Sequence, residues 1–190
     1  MMNKIIKLPI YLRSKAIEIE LRIRGVKLGI GCRFFKNFNI NKLHSKVEIG
    51  NFCSFDQYVS FTLNETDTNR ENKKLVVIED KVYINKFTVI DATCNIFIGT
   101  NTMIGPNCYI TDHDHSFHGK NPDFPVGELP LSGSPVRIEE NVWIGSNVVI
   151  LKGVRIGKNS VIGAGSVVIK DIRENSVAVG NPCKVIKEKS

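Results

Sequence analysis

The sequence predicts an all-β fold, a parallel β-helix built from three-sided coils, because it carries a six-residue repeat. In the C-terminal half an aliphatic residue recurs at every sixth position, at Ile138, Ile144, Ile150, Ile156, Ile162 and Val168. A small or β-branched residue stands two positions before five of these, at Val142, Val148, Val154, Ser160 and Ser166. Six residues form one short strand and one corner, so three repeats close a triangular coil with its aliphatic side chains inside. Neither an α-helix nor a β-sandwich strand keeps this period.

Asn and Gly cluster between the aliphatic positions, where the chain has to turn. The cluster consists of Asn141, Gly145, Asn147, Gly157, Asn159 and Gly163. Both residue types tolerate a left-handed backbone conformation at low steric cost. We therefore expect these residues to form left-handed corners of the coil.

The same repeat continues upstream and defines the domain boundaries. Its earlier members are Ile78, Ile84 and Ile90, then Ile98, Ile104 and Ile110 after a two-residue slip, and more weakly Leu28, Phe34, Ile40, Ile49, Phe55 and Phe61. The β-helix is expected over residues 28–182, after an N-terminal extension at 1–27 and before a basic tail at 183–190. A polar loop at 64–74 and an extended, proline-rich loop at 116–135 interrupt it, and loops as long as the second are usually functional.

Composition and charge restrict the classes of partner. The 190 residues are 42% hydrophobic and 24% charged, as in globular proteins, and the net charge of +7 indicates an anionic partner. Nucleic acid is not expected, because the basic residues are dispersed and no aromatic platform accompanies them.

The N-terminal extension alternates apolar and basic residues over positions 1–25. This pattern predicts a short helix or strand against the end of the coil and leaves a peripheral role at a membrane surface open. The basic start has no apolar run of the kind found in secretory signals. We therefore expect a cytoplasmic protein, with the inner face of the membrane as an alternative.

Three motifs resemble those of the hexapeptide-repeat acyltransferases. Asn141-Val142-Trp143-Ile144-Gly145-Ser146, Ile162-Gly163-Ala164-Gly165-Ser166 and Gly180-Asn181-Pro182 are similar to galactoside and maltose O-acetyltransferases, and Ile110-Thr111-Asp112-His113-Asp114-His115-Ser116 resembles the O-acetyltransferases of capsule and lipopolysaccharide biosynthesis. The resemblance implies a left-handed parallel β-helix and acetyl-CoA as co-substrate. It further implies a saccharide hydroxyl as acceptor, on a surface polysaccharide or its precursor, and a homotrimer with active sites between subunits.

The candidate catalytic residues precede the long loop. Matched to the family motif, His115 falls on the catalytic histidine, which would take a proton from the acceptor hydroxyl. If the six-residue repeat continues beyond Ile110, the side chain of residue 115 faces outward. His113 is the competing base, and Asp112 or Asp114 is a candidate for orienting the imidazole.

The coenzyme residues follow from the resemblance. They are Trp143, Ser146, Ala164, Ile169, Lys170, Lys184 and Lys187. The backbone N–H of Ser146 would hold the thioester oxygen, and the three lysines would contact phosphates. Lys184 and Lys187 stand where relatives often carry arginine, and a lysine supplies charge but no bidentate clamp.

Three alternatives remain at this stage. An N-acetyltransferase acting on an amino-sugar nucleotide or an aminated small molecule would use the same fold. His113 and His118 have the spacing of a γ-carbonic-anhydrase-like metal site, but a third histidine would have to come from distant His44, so no metal is expected. An acyl-cysteine mechanism is disfavoured, because Cys32, Cys53, Cys94 and Cys108 occupy the small inward position of their repeats and Cys183 has no evident base.

The outward positions predict a trimer independently of the resemblance. The residue before each inward aliphatic faces out, which gives Trp143 with Val161 on one face, Val149 with Val167 on the next and Arg155 with Arg173 on the third. Two apolar faces on one prism normally mark an interface, and two complementary faces can close a three-fold ring.

Overall fold

Three parallel sheets form the faces of a prism in the computed structural model, which describes residues 2–64, 73–115 and 130–188, with side chains from residue 11 onward. Face 1 contains β1 (Lys27–Leu28), β4 (Val47–Ile49), β7 (Val76–Ile78), β10 (Ile96–Ile98), β15 (Val136–Ile138) and β18 (Arg155–Ile156). Face 2 contains β2 (Arg33–Phe34), β5 (Ser54–Phe55), β8 (Tyr83–Ile84), β11 (Met103–Ile104), β16 (Trp143–Ile144), β19 (Val161–Ile162), β21 (Ser176–Val179) and β22 (Lys184–Glu188). Face 3 contains β3 (Asn39–Ile40), β6 (Ser60–Leu63), β9 (Val89–Ala92), β12 (Tyr109–Thr111), β17 (Val149–Ile150) and β20 (Val167–Val168).

The interior follows the repeat. Every inward aliphatic of the C-terminal half is buried, and so are the small residues two positions before it. Equivalent residues stack from coil to coil, as Ile104 does on Ile144 and Ile110 on Ile150. In the first coils phenylalanine takes the aliphatic position, and the parallel rings of Phe34 and Phe55 lie 5.2 Å apart. The six-residue period therefore predicted the core correctly.

The corner prediction is correct for Asn and wrong for Gly. Asn141, Asn147 and Asn159 have φ between 57° and 59°, whereas Gly145, Gly157 and Gly163 are not left-handed. These glycines are required by close approach between coils. A Cβ on Gly145 would lie 2.6 Å from the backbone nitrogen of Ala164. The absence of a side chain lets consecutive coils stack, while Asn supplies the turn.

The N-terminal extension is a long helix, α1 (Met2–Ile23), where a short helix or strand was expected. It packs on β1 and β2 at the first coil. Leu21 is buried there, and the Ser14 hydroxyl accepts the backbone N–H of Phe34 at 2.9 Å. A single 3₁₀ turn, His44–Lys46, connects β3 to β4. No helix in the described part of the chain has the length and apolar composition to cross a membrane.

The basic tail is an ordered strand. β22 pairs antiparallel with β21 and extends face 2, with Lys184 opposite Val179 and Lys187 opposite Val177. The repeat also shortens just before this hairpin. Ile156 bridges to Ile172, so the inward position comes four residues after Val168, and the expected frame that paired Arg155 with Arg173 is wrong. Arg155 instead stacks on Arg137 of face 1.

The long loop leaves the coil earlier than the period indicated. After Thr111 the chain departs from face 3 as strand β13 (His113–His115), which pairs antiparallel with β14 (Leu131–Gly133). These two strands form the base of an arm, whose residues 116–129 lie outside the described residues, as do residues 65–72 of the polar loop. The frame of Ile110 therefore does not extend to residue 115. That residue is nevertheless exposed, now on the arm.

Candidate active site

A buried carboxylate marks the point where the arm leaves the coil. Asp112 has no exposed surface, and its two oxygens accept three backbone N–H groups of the equivalent corner one coil earlier. Thr93 and Cys94 each donate at 2.8 Å, and Asn95 donates at 2.6 Å. Consecutive N–H groups that converge in this way form a nest for an anion. The nest fixes the carboxylate in place and leaves it available to the next residue.

His113 lies against this carboxylate. Its Nδ1 is 3.2 Å from Oδ1 of Asp112, and only 9% of its side chain is exposed. The hydroxyl of Thr111 donates to the backbone carbonyl of His113 at 3.0 Å. This hydrogen bond fixes the backbone that carries the imidazole. A carboxylate at Nδ1 favours the tautomer with its proton on that nitrogen. Nε2 is then the nitrogen that can accept a proton.

A second carboxylate approaches the same ring from the preceding coil. Oδ1 of Asp91 lies 3.8 Å from Nε2 of His113. This oxygen is buried and has no hydrogen-bond partner among the described residues, while Oδ2 accepts the Tyr109 hydroxyl at 2.7 Å. Burial raises the pKa of Tyr109 to about 12, and its hydrogen bond to Asp91 adds to the rise. The phenol therefore stays protonated at neutral pH and keeps Asp91 oriented. Asp91, Tyr109, Asp112 and His113 are called the histidine cluster below.

His115 lies two residues further along the arm. Its side chain is exposed, and it stands opposite Leu131 in the β13–β14 pair. The residue between the two histidines holds the arm to the coil. Asp114 accepts the Lys152 ammonium at 2.6 Å, and the same ammonium donates to the Ser132 carbonyl at 3.1 Å. Lys152 thus joins both arm strands to the end of β17.

An open groove of about 390 Å³ runs along face 2 and its edge with face 3. It is lined by the outward residues Tyr83, Met103, Trp143 and Val161 and by the turn residues Asn85, Gly105, Pro106, Gly145, Ser146, Gly163 and Ala164, together with Ile104 and Ile162. Trp143 is 58% exposed and forms an apolar wall. None of the histidine-cluster residues lines this groove.

Comparisons with known proteins identify the family. The profile of the bacterial transferase hexapeptide family, with six repeats, matches residues 135–170. A protein of Staphylococcus aureus (strain COL) named as an acetyltransferase is 35% identical over 175 residues, covering 72% of this chain and 85% of that protein. The chain belongs to the hexapeptide-repeat acetyltransferases. Its coil is accordingly a left-handed parallel β-helix, as the sequence predicted.

Two further comparisons extend this assignment. The galactoside O-acetyltransferase of Lactococcus lactis (strain IL1403) is 50% identical over 105 residues, which cover 55% of this chain and 48% of that enzyme. A crystal structure of a mutant of AntD, an N-acyltransferase from Bacillus cereus, in complex with dTDP-4-amino-4,6-dideoxyglucose and coenzyme A, superposes with a TM-score of 0.76. That chain is 21% identical, and the match covers 91% of this chain and 89% of AntD. This likeness concerns the fold.

In this acetyltransferase the residues expected to bind the coenzyme lie in two places. Trp143, Ser146 and Ala164 line the groove, and Lys184 and Lys187 lie exposed on β22 of the same face. Ile169 and Lys170 are also exposed, but they follow β20 of face 3. A single chain therefore does not bring all seven together.

The cysteines of the acetyltransferase are placed as the repeat predicted. Cys32, Cys53, Cys94 and Cys108 are buried. Cys108 donates its S–H to the carbonyl of Gly145 at 3.1 Å, and burial raises the pKa of its thiol. A thiol held in this way is a poor nucleophile. Within the described residues no group of three His, Cys, Asp or Glu side chains is arranged to hold a metal ion, and His118 lies outside those residues.

Sequence reasoning missed three residues near the histidines: Asp91, Tyr109 and Lys152. Asp91 is opposite Thr111 in the β9–β12 ladder. The sequence could have indicated this contact. Aligning neighbouring coils with the two-residue slip included places Asp91 beside Thr111. Lys152 gives no such signal, because its partner Asp114 belongs to the arm and not to the repeat.

Proposed function

We propose that this acetyltransferase moves the acetyl group of acetyl-CoA to a hydroxyl of a saccharide, on a surface polysaccharide or its lipid-linked or nucleotide-linked precursor. The observation that carries the proposal is the largely buried His113 imidazole, whose Nδ1 lies 3.2 Å from the Asp112 carboxylate. A hydroxyl acceptor is supported by the 50% identity, over 105 residues, with a relative named as a galactoside O-acetyltransferase.

His113 acts as the general base in this proposal, in preference to His115. Asp112 holds the proton on Nδ1, so Nε2 takes the hydroxyl proton as the acceptor oxygen bonds to the thioester carbon. The imidazolium stays between the Asp112 and Asp91 carboxylates while charge develops. His113 then returns the proton to the sulfur as the C–S bond breaks, and the products are an acetyl ester and a free thiol. No enzyme-bound acyl group is needed.

The groove on face 2 fits the acetyl donor. Its apolar wall at Trp143 suits the pantetheine chain. Lys184 and Lys187, on the same face, supply cations for phosphates. The backbone N–H of Ser146 is the group that we assign to the thioester oxygen.

The active site is shared between subunits of a homotrimer. The histidine cluster follows face 3, whereas the groove lies on face 2 and its edge with face 3, and the two have no residue in common. The outward columns also fit an assembly. Trp143 stacks beside Val161 on face 2, and Val149 stacks beside Val167 on face 3. In a ring, the cluster of one subunit faces the groove of its neighbour.

The histidine assignment is tested by paired variants. His113→Ala is expected to lower kcat by about two to four orders of magnitude, the usual contribution of a positioned general base. His115→Ala should have a much smaller effect, because its side chain is exposed whereas that of His113 is largely buried against Asp112. Release of free thiol from acetyl-CoA measures both variants, and thermal unfolding verifies that they fold. A larger loss for His115→Ala would assign the base to His115 and reject this mechanism.

An N-acetyltransferase acting on an amino sugar is the second candidate. The observation that favours it is Oδ1 of Asp91, a buried carboxylate oxygen 3.8 Å from Nε2 of His113. An amino group has enough N–H bonds to donate to both Oδ1 of Asp91 and Nε2 of His113, whereas a hydroxyl group has a single proton. Turnover of acetyl-CoA with a panel of neutral oligosaccharides and amino-sugar nucleotides separates the two. An amine acceptor should also leave more activity in His113→Ala, because its proton is lost late.

A further inference from the structure

Helix α1 has two apolar faces, and only one of them packs on the coil. Ser14, Ile17 and Leu21 face β1 and β2. On the opposite side Leu12, Ala16, Ile19 and Ile23 recur at spacings of three and four residues, which places them in one line. Leu12 is 59% exposed, Ile19 58% and Ile23 81%. These four residues are called the α1 stripe. Its apolar surface is open in the described chain.

The excess positive charge of the protein lies at the same end of the molecule. The first 50 residues contain eleven Lys and Arg against three Glu, a net charge of +8, although the whole chain carries only +7. The remaining 140 residues therefore carry a net charge of −1. Glu18 and Glu20 pair with cations of their own helix and Glu48 pairs with Lys27, so the three acidic residues of this segment are paired while its cations remain in excess. The exposed cations at this end include Arg13, Arg33 and Lys36.

We infer that the α1 stripe and the surrounding cations bind the surface of an anionic lipid bilayer. An exposed apolar stripe on a helix enters the interfacial region of a bilayer, and cations beside it attract anionic headgroups. Either contribution alone gives weak, reversible binding, and together they anchor a peripheral protein. A face-to-face contact of two α1 stripes is disfavoured, because each of the two ends carries a charge of +8. This inference does not depend on which acceptor the enzyme uses.

Vesicle co-sedimentation of the full-length protein tests the inference directly. One set of vesicles contains phosphatidylcholine alone, and the other also contains phosphatidylglycerol. The wild-type protein should bind the anionic vesicles, more strongly at low than at high salt, and should bind the neutral vesicles weakly. Ile19→Glu combined with Ile23→Glu should lower the partition coefficient at least about tenfold, because two apolar side chains are lost and two anions are added.

The control variant is Ile186→Glu. Ile186 is 65% exposed, as the stripe residues are, but it lies on β22 at the far end of face 2. It should leave the partition coefficient unchanged. Light scattering should show that the stripe variant has the same oligomeric state as the wild-type protein. Failure of the wild type to bind anionic vesicles, or undiminished binding by the stripe variant, would overturn the inference. A stripe variant that binds less but has lost its oligomeric state would also overturn it, since the stripe would then be a contact between copies.

Discussion

The chemistry proposed here depends on one side chain, Asp112, which connects the coil to the base. Its carboxylate accepts three backbone N–H groups and also faces Nδ1 of His113. The corner that binds Asp112 belongs to the preceding coil, so the position of the imidazole is set by the stacking of two coils. A base without such a buried partner would lose this preorganisation.

Replacing Asp112 by Asn should separate catalysis from acceptor binding. The amide would turn an NH₂ group toward N–H donors and remove the anion at Nδ1, so the tautomer and orientation of His113 are no longer fixed. We expect kcat to fall by about two to four orders of magnitude, as when an aspartate that orients a catalytic histidine is replaced. KM for the acceptor should change little. Initial rates against acceptor concentration give both constants.

The matched control for this variant is Asp80→Asn. Asp80 also accepts a backbone N–H, from Asn51 at 2.7 Å, and this hydrogen bond lowers the pKa of its carboxyl. It lies at the corner between faces 1 and 2, away from the histidines. If Asp112→Asn and Asp80→Asn lower kcat equally, the effect at Asp112 is on general stability, and its positioning role is refuted.

At the scale of elements, the arm is an insertion between two coils that otherwise stack without interruption. β10, β11 and β12 pair with β15, β16 and β17, so the coil resumes in register after residue 135. Lys152 joins the arm to the coil, because its ammonium contacts Asp114 and Ser132 of the two arm strands. This contact keeps β13, and with it the ring of His113, at a fixed angle to face 3.

Lys152→Met should therefore reduce activity more than stability. The Lys152–Asp114 ion pair is partly exposed, and such pairs contribute about 1 kcal/mol or less to stability. We expect kcat to fall about three- to tenfold through misorientation of the arm. Lys158→Met, which removes an exposed lysine near Glu174, is the control. A double-mutant cycle with Asp114→Asn measures the coupling in kcat, and additive losses would contradict a shared role of the two residues.

The elements also separate what the sequence could predict from what it could not. Each hexad obeys the same steric rule, so the interior from Ile138 to Val168 was predictable residue by residue. The corners at Phe52, Tyr58, Lys81 and Phe87 are left-handed with φ between 57° and 60°, and no residue preference indicates this. Packing of the surrounding coils imposes it, as the parallel rings of Tyr58 and Phe87 illustrate at 5.1 Å.

The candidate site was only partly predictable for a similar reason. The motif singled out the segment that contains Asp112, His113 and His115. The choice between the two histidines depends on the hairpin that begins at residue 113, and this hairpin forms through contacts with residues 131–133. A periodic pattern holds no information about such an antiparallel partner. The contact of Asp91 with His113 likewise depends on which residues of adjacent coils coincide.

At the scale of the whole molecule, one chain carries the histidine cluster after face 3 and the donor groove on face 2 and its edge with face 3. Exposed Trp143 and the valine columns make these faces apolar, and an apolar face with an incomplete site on it is best explained by assembly. In the proposed three-fold ring every subunit would have both roles, since its cluster would serve one neighbour and its groove the other.

Subunit complementation tests this shared site most directly. A His113→Ala subunit and a Ser146→Pro subunit are each expected to form inactive trimers. In mixed trimers some sites combine an intact cluster from one chain with an intact groove from the other, so activity should return to a substantial fraction of the wild-type rate. A mixture of His113→Ala with His113→Asn contains no intact cluster and should stay inactive. If verified mixed trimers of the first pair also stay inactive, or if scattering reports a monomer under assay conditions, the site does not lie between subunits and the account is wrong.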